Sequence, residues 1–195
     1  QPPFSQQLGV FSHSKDLNHL EILHKVAKRF LKINIHINAG FRYGDSFKDK
    51  TNYYLWLDKD YETLRAAYNK DARKNLKKDI QFTVKVSQPT MQFTEETIAM
   101  YLNQYGDKQS IGNHLKNTLL QLVTNANKTG NIEGYSLLSN EGNPIFNALI
   151  LKDKKRLYYL FASPTDDGRK LNIAHYFIDF LIRKYAGSGL ILDFE

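Results

Sequence analysis

The segment 156–195 constrains the fold more than any other part of the chain. RLYYLFASP (156–164) is an apolar-rich run of strand length, TDDGRK is a polar turn, and LNIAHYFIDFLIRKY has the spacing of an amphipathic helix. GLILDFE (189–195) is a second apolar run. A strand–helix–strand unit in one sheet closes as a right-handed crossover, which predicts 157–162 and 189–194 as parallel strands. The helix is expected over 169–185, with Leu171, Ala174, Ile178, Leu181 and Tyr185 on its buried face.

Three strands precede the crossover or form part of it. EGYSLLSN (133–140), PIFNALILKD (144–153) and RLYYLFASP are joined by the short polar turns EGN and KDKK, the pattern of an antiparallel meander. Further upstream, LGVFS (8–12), KINIHIN (32–38), TNYYLWL (51–57) and QFTVKV (81–86) read as strands. A helix is expected over 16–31, capped by Asp16, and another from Asp58 or Asp60 with Tyr61, Leu64, Tyr68, Ala72, Leu76 and Ile80 on one stripe. Thr94 is the expected cap of a helix running to about residue 104, and 111–126 completes the set. The fold class is therefore α+β: a mixed, largely antiparallel sheet flanked by helices.

The composition narrows the functional classes. The chain of 195 residues has no cysteine, which excludes a disulfide, an iron–sulfur cluster or a thiol nucleophile in this segment and suits a cytoplasmic setting. No run of about 18 apolar residues is present, so no membrane insertion is expected. Six histidines show neither His-x-His nor His-x-x-x-His spacing, so no metal is expected. A net charge of +7 favours anionic partners.

Three places carry candidate chemistry. The turn at 166–174 opens a helix, whose first amides and positive end suit a phosphate, with Gly168 free to turn and Arg169 adding charge. The same amides are open to capping by Asp166 or Asp167, and both readings stand. Arg73, Lys74, Lys77 and Lys78 form a basic helix face, either solvated beside Asp71 and Asp79 or in contact with the phosphates of a nucleotide or RNA. Asp193 and Glu195, two residues apart in the last strand, point to one side and are candidate acceptors of a proton from an amine.

At these residues the chain resembles a known superfamily. The strand RLYYLFASP, the turn, the helix and LILDFE look like the core of the GNAT acyltransferases, whose phosphate-binding motif runs Gln/Arg-x-x-Gly-x-Gly/Ala. Arg169-Lys170-Leu171-Asn172-Ile173-Ala174 matches it at Arg169 and Ala174 and departs from it at Asn172, a residue type that tolerates positive φ. NYYLWLDKDYETLRAAYNKDARKNLKKD and the ending LDFE are similar to segments of the bacterial FemABX-like branch, peptidyltransferases built from two GNAT-like domains. QPPFSQQLGVFS resembles the end of a first domain, which implies a remainder over 1–50 and an acyltransferase domain over 51–195.

The resemblance implies an amine attacking an acyl carbonyl without a covalent enzyme intermediate. Backbone amides at Phe161, Ala162 and Ser163 would hold the oxyanion, and Gly168, Arg169, Lys170, Asn172 and Ala174 the donor phosphates. Acetyl-CoA or another acyl-CoA is the implied donor, or else aminoacyl-tRNA with Arg73, Lys74, Lys77 and Lys78 on its end. The acceptor would be a small-molecule or peptidoglycan-precursor amine. The alternatives are a degenerate GNAT-like module that binds a ligand or partner without catalysis and, ranked last, a general RNA-binding protein.

Overall fold

The computed structural model describes residues 18–30, 51–77, 80–105 and 112–194. The chain divides into two compact units, Gln1–Thr51 and Asn52–Glu195. In the first, helix α1 spans His19–Ala27. Its cap is Asn18, whose side chain accepts from the Glu21 N–H, in place of the expected Asp16. The strands expected at 8–12 and 32–38 lie outside the described residues.

The second unit runs β1 (Tyr54–Trp56), α2 (Tyr61–Ala66), α3 (Lys70–Asn75), β2 (Thr83–Ser87), α4 (Met91–Tyr105), α5 (Asn113–Lys128), β3 (Ile132–Leu138), β4 (Pro144–Lys152), β5 (Arg156–Pro164), α6 (Asp166–Lys170), α7 (Ile173–Tyr185) and β6 (Ile191–Asp193). Its six strands form one sheet in the order β1-β6-β5-β4-β3-β2. Every neighbouring pair is antiparallel except β5 and β6, which are parallel, as the crossover requires. The mixed α+β architecture is the one read from the sequence.

Alternation along the strands builds the core. One face of the sheet is covered by α7, whose Phe177 ring meets Tyr135 of β3, Phe146 of β4 and Tyr159 of β5 at 5.2, 4.9 and 6.0 Å between centroids. The opposite face takes α4 and its neighbours, with Tyr101 against Phe161 of β5 and Phe93 against Gly134 of β3. Fully burying a side chain such as Phe177 is worth about 1.5–3 kcal/mol, so this seam fixes where α7 lies. Among the described residues no helix is long and apolar enough to cross a membrane.

Several helix boundaries differ from expectation, each for a local reason. The single helix expected after Asp60 is two, because Asn69 accepts from the Ala72 N–H and starts α3 afresh. Asp60 does cap α2. α4 begins one turn earlier than predicted: the Thr90 hydroxyl accepts from the Phe93 N–H, while Thr94 is buried and donates to the Thr90 carbonyl. The helix expected over 169–185 is also two. Asn172, at φ 55° and ψ 39°, takes the left-handed conformation between α6 and α7 and resets the helical phase. The fully buried face of α7 is therefore Ile173, Phe177, Leu181, Ile182 and Tyr185, with Leu171, Ala174 and Ile178 half-buried.

Candidate functional site

Strand β5 outruns its parallel partner. Arg156, Leu157 and Tyr158 pair with Ile191, Leu192 and Asp193, but from Tyr159 to Pro164 the edge of β5 that faces β6 has no strand against it among the described residues. The Thr165 N–H donates to the Ile145 carbonyl at 2.9 Å, and Ser163 and Phe161 lie opposite Asn147 and Leu149 in the same register. Hydrogen-bonded pairs alternate along an antiparallel ladder, so Phe161 and Ser163 direct their amides to β4 and Ala162 directs its own to the open edge. Of the three amides expected to hold an oxyanion, the geometry presents that of Ala162.

The side chains of this stretch divide between the two faces. Phe161 packs on Tyr101, and Ser163 is fully buried with no hydrogen-bond partner for its Oγ among the described residues. Ala162 packs toward the α7 core. Tyr159 lies on the α7 side with its ring between Phe177 and Phe194, at 6.0 and 6.2 Å. Burial pushes its phenol well above the ordinary range. Sequence pattern alone does not single out Tyr159, since it and Tyr158 are equivalent members of an apolar strand.

The mouth of α7 is built by an unforeseen cap. Thr165, and neither Asp166 nor Asp167, caps α6: its hydroxyl accepts from the Gly168 N–H at 3.1 Å and lies 3.2 Å from the Ile145 carbonyl oxygen. Both aspartates face solvent, and Asp167 pairs with Lys170 at 2.8 Å. Gly168 does not use its freedom of φ. It is required because a Cβ there would stand 2.2 Å from the Ile145 carbonyl oxygen. Ala174 falls in the first turn of α7, and the cap residue Asn172 makes no side-chain bond to the helix amides.

Asn75 draws two of the predicted sites together. Its side-chain oxygen accepts from Asn172 at 3.2 Å, its amide nitrogen lies 3.2 Å from His175 Nε2, and its backbone carbonyl accepts from the Tyr176 hydroxyl at 2.7 Å. The last turn of α3, carrying exposed Arg73 and Lys74, is thereby fixed to the turn that carries Arg169 and Lys170, and Lys77 follows, exposed. Lys78 lies outside the described residues.

The candidate carboxylates are placed differently. Asp193 is fully buried, 2.6 Å from the Arg156 guanidinium and 3.2 Å from the Asn52 amide nitrogen. Because Phe194 turns to Tyr159, the carboxylate of Asp193 projects from the other face of the sheet. Its geometry is that of a clamp between strands. Glu195 lies outside the described residues. Among those residues no group of three or more His, Asp or Glu is positioned to hold a metal.

At the other end of α7 the polar groups close on one another. Glu133 accepts from Tyr135, from Lys184 at 2.9 Å and from Tyr185 at 2.9 Å, and Lys184 also lies over the Tyr135 and Tyr185 rings. Burial alone would raise the Glu133 carboxyl, but the hydrogen bonds from Lys184, Tyr135 and Tyr185 outweigh it and hold it below the ordinary carboxylate range. Asp179 accepts from Tyr61 at 2.8 Å and from Tyr68 at 3.0 Å, which ties α2 to α7.

No protein-family model and no curated protein matches the sequence. Among solved structures, the crystal structure of FemX aligns with a TM-score of 0.57 at 12% identity, over 73% of this chain and 52% of FemX. A conserved protein of unknown function from Bacteroides thetaiotaomicron aligns at 0.52 and 12%, over 74% of this chain and 49% of its own. The chain thus spans about half the length of each of these structures. At such identity the likeness is one of architecture, and with the parallel β5–β6 pair and the α7 crossover it gives a GNAT-like fold.

Proposed function

We propose that the chain is an N-acyltransferase, moving an acyl or aminoacyl group onto an amine by direct attack with no covalent enzyme intermediate. The observation that supports this most is the open edge of β5, where the register directs the Ala162 N–H away from β4 and no strand stands against it among the described residues. An N–H held in a strand meets a developing oxyanion without reorganising, and such preorganised donors are a large part of catalysis in acyl transfer. The amine attacks the carbonyl carbon, the oxygen takes the electron pair, and the pair returns as the leaving group departs. The amine proton passes to Glu195 or to water, since Asp193 is engaged by Arg156 and Asn52.

In this reading the mouth of α7 takes the donor. Arg169 and Lys170, with Arg73, Lys74 and Lys77 brought alongside by Asn75, supply the field for phosphates of acetyl-CoA or another acyl-CoA, or of the end of an aminoacyl-tRNA. The resemblance to FemABX-like proteins favours a peptidoglycan-precursor amine as acceptor and makes the first unit the remainder of a preceding GNAT-like domain. A second reading, a non-catalytic binding module, is favoured by one observation: Asn172 stands at the motif's glycine and its side chain is engaged by Asn75. Against it, Asp166 and Asp167 face solvent and neither caps the helix.

The test is to incubate the full chain with an amine acceptor mixture and either acetyl-CoA or a pool of charged tRNA, measuring amide product and thermal stability together. A donor at about 100 times its Kd adds ~2.7 kcal/mol of stability. The acyltransferase reading expects stabilisation with one donor, weakened by Arg169→Glu, and amide product. Stabilisation without product supports the binding module, and no response to either donor refutes the reading.

A further inference from the structure

Among the described tyrosines, those at 61, 68, 135, 158, 176 and 185 each donate to a carboxylate or a carbonyl oxygen. Tyr159 differs from all six. Its ring is held between Phe177 and Phe194, yet its hydroxyl has no partner among the described residues and is not sealed from solvent. A phenol packed into an aromatic seam ordinarily finds a hydrogen-bond partner in the protein; here the hydroxyl is left to water, or to a ligand that takes the place of that water. A phenylalanine at 159 would fill the same seam, so the packing alone does not call for the hydroxyl. The residue stands where β5 and β6 part, at the start of the open edge that also presents the Ala162 amide.

We propose that Tyr159 is a catalytic residue whose hydroxyl donates a hydrogen bond to the carbonyl oxygen of the transferred acyl group. This rests on the acyltransferase reading and adds a side-chain donor to the backbone one. The phenol remains protonated throughout, since burial disfavours its anion. During attack the carbonyl oxygen gains the electron pair from the C=O bond and the Tyr159 hydrogen bond shortens toward it. On collapse the pair re-forms the C=O bond, the leaving group departs, and the tyrosine has neither gained nor lost a proton.

The experiment uses the full chain, with acetyl-CoA and charged tRNA as the two donor probes, and compares wild type, Tyr159→Phe and Tyr185→Phe. Loss of one oxyanion donor lowers kcat by about 10²–10³-fold. The expected result is a fall of that size for Tyr159→Phe with KM unchanged within about threefold, and a melting temperature equal to or above wild type. Tyr185→Phe, which gives up its bond to Glu133, is expected to melt about 2–4 °C lower with kcat retained. If Tyr159→Phe keeps wild-type kcat, or melts as low as Tyr185→Phe, its hydroxyl is structural and the proposal is overturned. If wild type itself transfers from neither probe, the acyltransferase reading fails, and the role of Tyr159 with it.

Discussion

The two ends of α7 treat polar groups in opposite ways. Near its carboxyl end, Glu133, Tyr135, Lys184 and Tyr185 satisfy one another, and Asp179 collects two tyrosine hydroxyls. Toward its amino end, along the open edge of β5, the Tyr159 hydroxyl has no partner among the described residues and Ala162 faces no strand there, while Ser163 Oγ, also without a partner among those residues, is buried on the sheet face opposite α7. Both stretches belong to one sheet and share the Phe177 seam, so the contrast is not one between core and surface. An unmatched polar group lowers stability where it is buried from water, as Ser163 Oγ is. A chain that completes its networks at one end and leaves them open at the other has the form of a scaffold holding a site. Substitutions test the contrast, because those in the matched set should destabilise and those on the open edge should not.

The largest effect is expected where a matched pair is broken inside the sheet. Arg156→Ala takes away the guanidinium that lies 2.6 Å from the fully buried Asp193 carboxylate. Removing one partner of a buried pair costs about 3–5 kcal/mol. Asp193→Asn should cost less, because the Arg156 side chain is 34% exposed and can turn to water. Urea denaturation of the two variants measures the order. Equal losses, or a smaller one for Arg156→Ala, would remove the Asp193 clamp from the matched set and return that carboxylate to the candidates for proton transfer.

Next in size is the Glu133 network, which carries a pH signature. Its folded carboxyl lies below the ordinary 4.5. A lowered folded value means stability that is fully present above about 4.5 and is lost as pH falls through the folded value. Glu133→Gln should therefore cost about 1–2 kcal/mol at neutral pH and show a flatter acid limb than wild type below pH 4.5. Melting curves between neutral pH and pH 3 provide the check. Parallel acid limbs for the two proteins would mean that the network is not matched in solution.

How much of this is legible in the sequence depends on the range of the interaction involved. The meander and the crossover are readable because RLYYLFASP and GLILDFE carry their periodicity in consecutive residues. The breaks at Asn69 and Asn172 are not, because the apolar stripe continues across each of them and conceals a restart made by a single side chain or dihedral. The turn at 166–174 reads as a helix start, yet its cap, Thr165, opens the polar turn just ahead of Asp166 and Asp167, two residues of capping type that draw the reading to themselves. Gly168 stands out in the sequence for the freedom of its backbone, while its actual constraint is the Ile145 carbonyl 23 residues away. Tyr159 carries no signal at all: lacking a partner is a property of the fold around a residue, and Tyr158, its neighbour in sequence, finds Asp153.

Asn172 lies on the border between the two regimes and sharpens the comparison. Its left-handed backbone is held in part by the bond to Asn75. Asn172→Ala removes that bond and places a less tolerant residue at positive φ, for an expected loss of about 1–2 kcal/mol. Asn172→Gly removes the same bond and relieves the backbone, so it should lose less than half as much. The pair, measured by denaturation, separates strain from bonding. A glycine variant as unstable as the alanine one would mean that the Asn75 bond, rather than backbone strain, accounts for most of the loss.

The smallest effect, and the one of opposite sign, belongs to Ser163. Its hydroxyl is buried with no hydrogen-bond partner among the described residues, so Ser163→Ala discards a group that contributes nothing to the folded state and is solvated in the unfolded one. The expected change lies between zero and about 1 kcal/mol of stabilisation, since the substitution removes a single oxygen atom from the packed face. Equilibrium denaturation resolves this if variant and wild type are fitted with a common slope. A loss of more than about 1 kcal/mol would show that Ser163 Oγ is matched in solution, by water or by a neighbour, and would move it from the open edge to the closed set. The open edge would then consist of the Ala162 amide and the Tyr159 hydroxyl, one donor from the backbone and one from a side chain.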